Sequence, residues 1–126
     1  TFTGTYPGDD FVDYISIDGY NWGTKKCWSR WKSFSEVFRK SYNALAGIDK
    51  PMFIAETSCT ESGGNKAEWI ADMFKVLPVE FPRIFAIMWF NQSKSFEADW
   101  ALDTSSAAVD AWKAGLNAPH RAITSR

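Results

Sequence analysis

Three short apolar runs recur along this chain at nearly even intervals, and that rhythm limits what it can fold into. Val12 to Ile17 leads into Asp18, Met52 to Ala55 into Glu56, and Ile84 to Ile87 into Met88-Trp89-Phe90-Asn91. Ile17, Ile54 and Ile87 mark equivalent points, each roughly 35 residues from the next, a spacing that suits βα units. Helical patterns fill the intervals. Ser33 and Glu36 are spaced as a capping box. Phe34, Val37, Phe38, Tyr42 and Leu45 then repeat at helical spacing, with Gly47 as a left-handed stop. Ala67, Ile70, Ala71, Phe74 and Leu77 mark a second helix that Pro78 and Pro82 bring to an end. A third runs from Ser105 to near Leu116, and Asn117 to Arg126 reads as a surface tail.

Strands alternating with helices predict an α/β fold with parallel strands and right-handed crossovers. The predicted strands span about Val12 to Asp18, Met52 to Glu56 and Ile84 to Phe90. Nearly continuous apolar runs are those of a sheet covered on both faces. A closed eightfold barrel needs about 250 residues, and this chain has 126. Apolar outer strands would leave edges that aggregate unless covered. The expectation is one domain, residues 1–126, forming the C-terminal three βα units of a larger (β/α)8 TIM barrel. A missing N-terminal segment or a partner chain would complete it. Thr1 in place of Met fits a processed or truncated product.

Composition removes several function classes. Net charge is −1 with no basic stripe, which argues against nucleic acid as a partner. No apolar stretch reaches the roughly 18 residues of a membrane span. The one histidine, His120, lies in the tail, which argues against a zinc site. Cys27 and Cys59 each follow a strand end by a few residues, a placement that leaves a disulfide open without establishing its geometry. Seven Trp, four Tyr and ten Phe exceed what a small core requires. Part of this set packs the core and interfaces. The rest suits sugar binding, because a flat ring covers the C–H face of a pyranose.

Parallel α/β folds keep their chemistry beyond the C-terminal ends of the strands. There the pattern delivers Asp18, Tyr20, Glu56, Trp89 and Asn91 to one edge. Carboxylates beside aromatic faces are the equipment for cutting polysaccharides. A glycosidase nucleophile must be ionised, so it needs hydrogen-bond donors nearby. Glu56 fits, with Tyr20 as donor; its plainer reading is a helix cap or loop ion pair. By spacing alone, Asp18 could serve as acid to Glu56 or as a turn former before Gly19. Trp22 is a candidate platform. Trp28, Trp31 and Trp100 either line outer subsites or pack loops, while Trp69 and Trp112 fall within helices as core. Asn91 opens a glycosylation sequon with Ser93, but at a strand end it reads as a polar site residue. Glu61 and Gly63-Gly64 shape the loop above the site. Without a Lys in a P-loop frame, Gly63-Gly64 gives no phosphate site.

In these residues the chain resembles glycoside hydrolase family 26. The resemblance runs through Tyr6-Pro7-Gly8-Asp9-Asp10, Asp18-Gly19-Tyr20-Asn21-Trp22, Lys50-Pro51 and Ile54-Ala55-Glu56-Thr57. It continues through Glu61-Ser62-Gly63-Gly64, Lys66-Ala67-Glu68-Trp69-Ile70, Met88-Trp89-Phe90-Asn91, Asp99-Trp100 and Asp103. It implies (β/α)8 barrels that are retaining endo-hydrolases, mostly β-mannanases, with some mixed-linkage β-glucanases and β-1,3-xylanases. The three strands would be the sixth, seventh and eighth. The resemblance places the nucleophile on Glu56, a binding role on Asp18 and a stacking platform on Trp89. It puts the acid/base glutamate on a fourth strand that this sequence does not contain.

The resulting expectation is a retaining endo-β-glycanase acting on mannan, glucomannan or mixed-linkage β-glucan. Glu56 is its catalytic residue, and Asp18, Tyr20, Trp22, Trp89, Asn91 and Trp100 bind substrate. Two carboxylates suffice, so no metal or organic cofactor is expected. The partners are the polysaccharide and the missing barrel segment, and the protein is expected to be secreted. The rivals are a carbohydrate-binding protein without catalysis and an inactive fragment of such an enzyme.

Overall fold

The computed structural model describes residues 4–119. Three parallel strands, β1 (Ile15–Asn21), β2 (Met52–Cys59) and β3 (Ile84–Trp89), form one sheet in the order β1-β2-β3. Helix α1 (Phe34–Ala44) joins β1 to β2, α2 (Lys66–Glu80) joins β2 to β3, and α3 (Ser106–Asn117) follows β3. The α/β order and the parallel pairing are those the apolar rhythm predicted.

Each helix begins where its sequence offers a cap. At α1 the Ser33 hydroxyl accepts the Glu36 N–H while the Glu36 carboxylate accepts the Ser33 N–H, the reciprocal capping box. Asn65 caps α2 and Ser105 caps α3 through their side-chain oxygens. The C-terminal ends differ from expectation. Gly47 is not the left-handed stop of α1; the helix ends at Ala44 and unwinds through three-residue turns from Leu45, Ala46 and Ile48 to the carbonyls three back. Pro78 lies inside α2 rather than ending it. In the last turn it forfeits only one backbone donor, and Phe81 N–H still closes on the Leu77 carbonyl.

The three helices share one face of the sheet. Ile15, Ile17, Met52 and Ile54 pack there against Phe34, Phe38, Trp69, Ile70, Met73, Phe81 and Ala108 in a continuous core. The other face was expected to be covered, and among the described residues it is not. It carries Tyr14, Phe53, Phe85 and Met88, with Tyr14 and Phe53 each 5.9 Å from the Phe85 ring. Both β1 and β2 also run three residues beyond the predicted ends. Tyr20 pairs with Ser58 and Asn21 with Cys59, so the backbone ladder continues after the apolar pattern has stopped. At the N-terminal end Val12 to Tyr14 lie outside β1.

Candidate active site

Strict alternation along β2 would place Glu56 with Met52 and Ile54, against the helices. A β-bulge prevents this. Ile17 pairs with Ile54, but Asp18 pairs with Glu56, so Ala55 is an extra residue opposite no partner. The same insertion appears towards β3, where Ile54 pairs with Ile87 and Thr57 with Trp89. The extra residue shifts Glu56 to the open face of the sheet, beside Asp18 and Tyr20. Bulges are used in this way next to active sites, to re-aim a side chain.

There the Tyr20 hydroxyl donates to Glu56 Oε2. Burial, followed by this bond and the charges of Glu56, Asp18 and Glu97, holds the Tyr20 phenol well above its ordinary value, so it stays a donor at neutral pH. The Asp18 carboxyl is also raised, first by burial and then by the Glu56 charge, while the Glu56 backbone N–H pulls it back by donating to it. The expected trio of Asp18, Tyr20 and Glu56 is thus assembled at one spot by two adjacent strands.

The remaining expected site residues are placed differently. Trp100 is 1% exposed and has no face left for a sugar, which corrects its assignment to substrate binding. Its ring instead backs Tyr20 at 5.0 Å and Trp22 at 4.8 Å, and its indole N–H donates to Glu97. Its carbonyl accepts from Ser58 Oγ at 2.7 Å and from Trp89 Nε1 at 2.9 Å. Trp89, half-buried, stands on the helix side, 5.5 Å from Trp112 and 6.2 Å from Trp69. Asn91 Oδ1 accepts the Leu102 N–H at 2.7 Å and so shapes the loop after β3. Trp69 is core as expected, and Trp112 packs against it. Cys27 is exposed and Cys59 buried, both as free thiols, so there is no disulfide. Burial pushes the Cys59 thiol up to about 12, and Asn21 Nδ2 donates to its sulfur.

Two further features complete the site. Lys66 is fully buried at the start of α2. Its ammonium donates to the Ala101 carbonyl at 2.6 Å and to Thr104 Oγ1 at 3.0 Å, and lies 5.6 Å from the Trp89 ring. Burial lowers its pKa, and the carboxylates of Glu61, Asp99 and Asp103 oppose that shift. Glu61 accepts from both Thr104 and Ser105, so Lys66 and Glu61 together clamp the segment that carries Trp100. The second feature is a cleft beside Tyr20, lined by Trp22, Trp28, Ser29, Arg30 and Lys32. A signal for it existed: from Gly19 to Ser35 the chain has four cations and no carboxylate. Among the described residues no group of three or more His, Cys, Asp or Glu side chains could hold a metal ion, and no helix is long and apolar enough to cross a membrane.

No family model matches the chain. It is 44% identical over 119 residues to an endoglucanase H of Acetivibrio thermocellus, an alignment spanning 94% of this chain and 13% of that protein. The chain therefore covers only a small part of its relative's length. In structure it resembles a GH128 (subgroup II) endo-β-1,3-glucanase from Sorangium cellulosum, with a TM-score of 0.56 over 88% of this chain and 43% of the other. At 23% identity that likeness is one of fold. It is consistent with part of an α/β barrel. Neither name carries family 26.

Proposed function

We propose that this chain forms the last three βα units of a (β/α)8 barrel of glycoside hydrolase family 26, and that the assembled barrel is a retaining endo-β-glycanase. The observation that carries the reading is the Tyr20–Glu56 hydrogen bond at the C-terminal strand ends, on the open face, with Asp18 opposite. The endoglucanase name of the relative favours β-glucan over mannan as the substrate.

In a retaining mechanism one carboxylate attacks the anomeric carbon while an acid protonates the departing oxygen, the two carboxyls standing about 5–5.5 Å apart. Glu56 is the nucleophile. Tyr20 orients its carboxylate by donating to Oε2, leaving Oε1 free to attack. The acid/base belongs to a barrel strand outside this chain, supplied by a missing segment or a partner polypeptide. Asp18 offers a second reading for the acid, because its raised carboxyl faces Glu56 across adjacent strands.

The test begins with denaturing intact-mass spectrometry of the native particle, to show whether a second polypeptide accompanies the 14.3 kDa chain. Hydrolysis of β-glucan by the wild type, Glu56→Gln and Asp18→Asn is then compared. Loss of a nucleophile costs on the order of 10⁴-fold in turnover, so Glu56→Gln should be nearly silent while still binding substrate. Turnover that survives Glu56→Gln removes the assignment. An equal loss in Asp18→Asn with an altered acid limb in the pH profile moves the acid role to Asp18. A lone chain that binds glycan without turnover is a carbohydrate-binding protein.

A further inference from the structure

The cleft beside Tyr20 differs in charge from the rest of the site. Asp18 and Glu56 make one side negative. On the other side runs the β1–α1 loop, whose Lys25, Lys26, Arg30 and Lys32 have no carboxylate among them in the sequence; Arg30 and Lys32 line the cleft. Arg30 pairs with Glu36 at 2.9 Å, and Lys26 donates to the Phe96 carbonyl at 2.8 Å, which leaves its charge intact. Lys32 is exposed and lines the cleft. Beside it Trp22 and Trp28 stand 5.3 Å apart, and Trp28 is 70% exposed.

This loop is fixed in place by its backbone. The Lys32 N–H donates to Asn21 Oδ1 at 3.0 Å, and the Lys32 carbonyl accepts from Trp69 Nε1 at 2.9 Å. Ser29 Oγ accepts the Lys26 N–H and donates to the Gly23 carbonyl at 2.8 Å. Gly23 has φ +51°, and a Cβ there would lie 1.8 Å from the Ser62 carbonyl oxygen. The backbone that carries the aromatic rings and the cations is therefore fixed before any ligand arrives, which reduces the ordering cost of binding.

We propose that this cleft is a subsite for a sugar unit bearing a carboxylate, a uronic acid residue or a uronyl branch on the glycan. Trp28 supplies the stacking face and Lys32 the charge partner, Arg30 being held by Glu36 and the Trp31 carbonyl. The proposal rests on the glycan-cleaving reading above and adds to it a substrate class. A neutral sugar needs the ring but gains nothing from the cation. A uronate uses both, and a carboxylate gains most from a charged donor.

The test titrates tryptophan fluorescence of the native protein with a β-1,4-linked glucuronic acid tetramer and with cellotetraose, at low and high salt. The acidic tetramer should bind about fivefold more tightly at low salt, a gap suited to one exposed ion pair, and high salt should close most of it. Lys32→Gln leaves both backbone bonds of Lys32 in place, so the fold is kept; it should remove most of the preference without weakening cellotetraose. Trp28→Ala should weaken both ligands. Equal binding of the two tetramers, a preference indifferent to salt and to Lys32→Gln, or binding of neither overturns the proposal. Glu56→Gln separates the two readings: it tests turnover, and because it removes a carboxylate near the cleft it should keep or strengthen the uronate preference, never abolish it.

Discussion

On the helix side of the sheet Met52, Phe34, Phe38, Ile54, Ile70 and Met73 are at most 1% exposed; on the other side Tyr14, Phe85 and Met88 stand 60%, 44% and 50% open. Both faces are made of the same kinds of residue. They differ in partners, since three helices cover one face and nothing among the described residues covers the other. The covered face supplies the stability of the isolated chain. The open face carries Asp18, Tyr20 and Glu56 at its rim, and its apolar floor suits the interior of a barrel whose other strands lie elsewhere. Burial therefore cannot serve as a guide to importance here, because the half-exposed residues are the ones the proposed assembly needs.

The sharpest contrast between the faces is mutational. Ile54→Ala should cost about 2–5 kcal/mol in denaturant unfolding, through lost burial and a cavity, whereas Phe85→Ser should stay within about 0.5 kcal/mol for the isolated chain. Equal costs would mean that the open face is already packed in solution. Lys66→Met comes next. It leaves the Ala101 carbonyl and the Thr104 hydroxyl without their donor, at about 1–3 kcal/mol by the same measurement. It should also shift the emission of the Trp cluster that the clamped segment supports. A smaller effect of opposite sign is expected at Thr57, whose fully buried hydroxyl lacks a hydrogen-bond partner. Thr57→Val should stabilise by about 1 kcal/mol, since an unpaired buried polar group is costly and the shape is conserved.

The smallest effect belongs to the open face. The folded state raises the Asp18 carboxyl above its ordinary value of 3.8, so it holds that proton to higher pH than the unfolded chain does. The penalty is absent below the unfolded value, grows as pH rises through it, and is complete above the folded value. Asp18→Asn should therefore raise Tm slightly at pH 7, by the equivalent of less than about 1 kcal/mol because the group is largely solvated, and the gain should vanish on acidification below about pH 3.8. A gain that persists in acid would show that charge repulsion is not its origin.

Periodicity carried the helices and the order of the strands, because those follow from side-chain burial at fixed intervals. It could not carry the ends of β1 and β2, where backbone pairing outlasts hydropathy. The bulge at Ala55 left a clue that needed a second step: alternation put a carboxylate among core positions, and that conflict signals an inserted residue. The burial of Trp100 and Lys66 had no clue of this kind, since both depend on how a loop without repeat folds back over β2. Cys27 and Cys59 show the same limit: Cys27 is exposed in the loop after β1, whereas Cys59 is buried as the last residue of β2, so their thiols do not meet.

The strand order repeats the chain order, and this has a kinetic consequence. Each strand docks beside the one made just before it, so no unit waits for a later piece of this chain to fill a gap in the sheet. Each pairing still spans a whole βα unit, as Ile17 with Ile54 and Ile54 with Ile87, so assembly is stepwise but slower than that of local contacts. Growth of the chain during synthesis would thus extend the sheet at one edge, from β1 to β3.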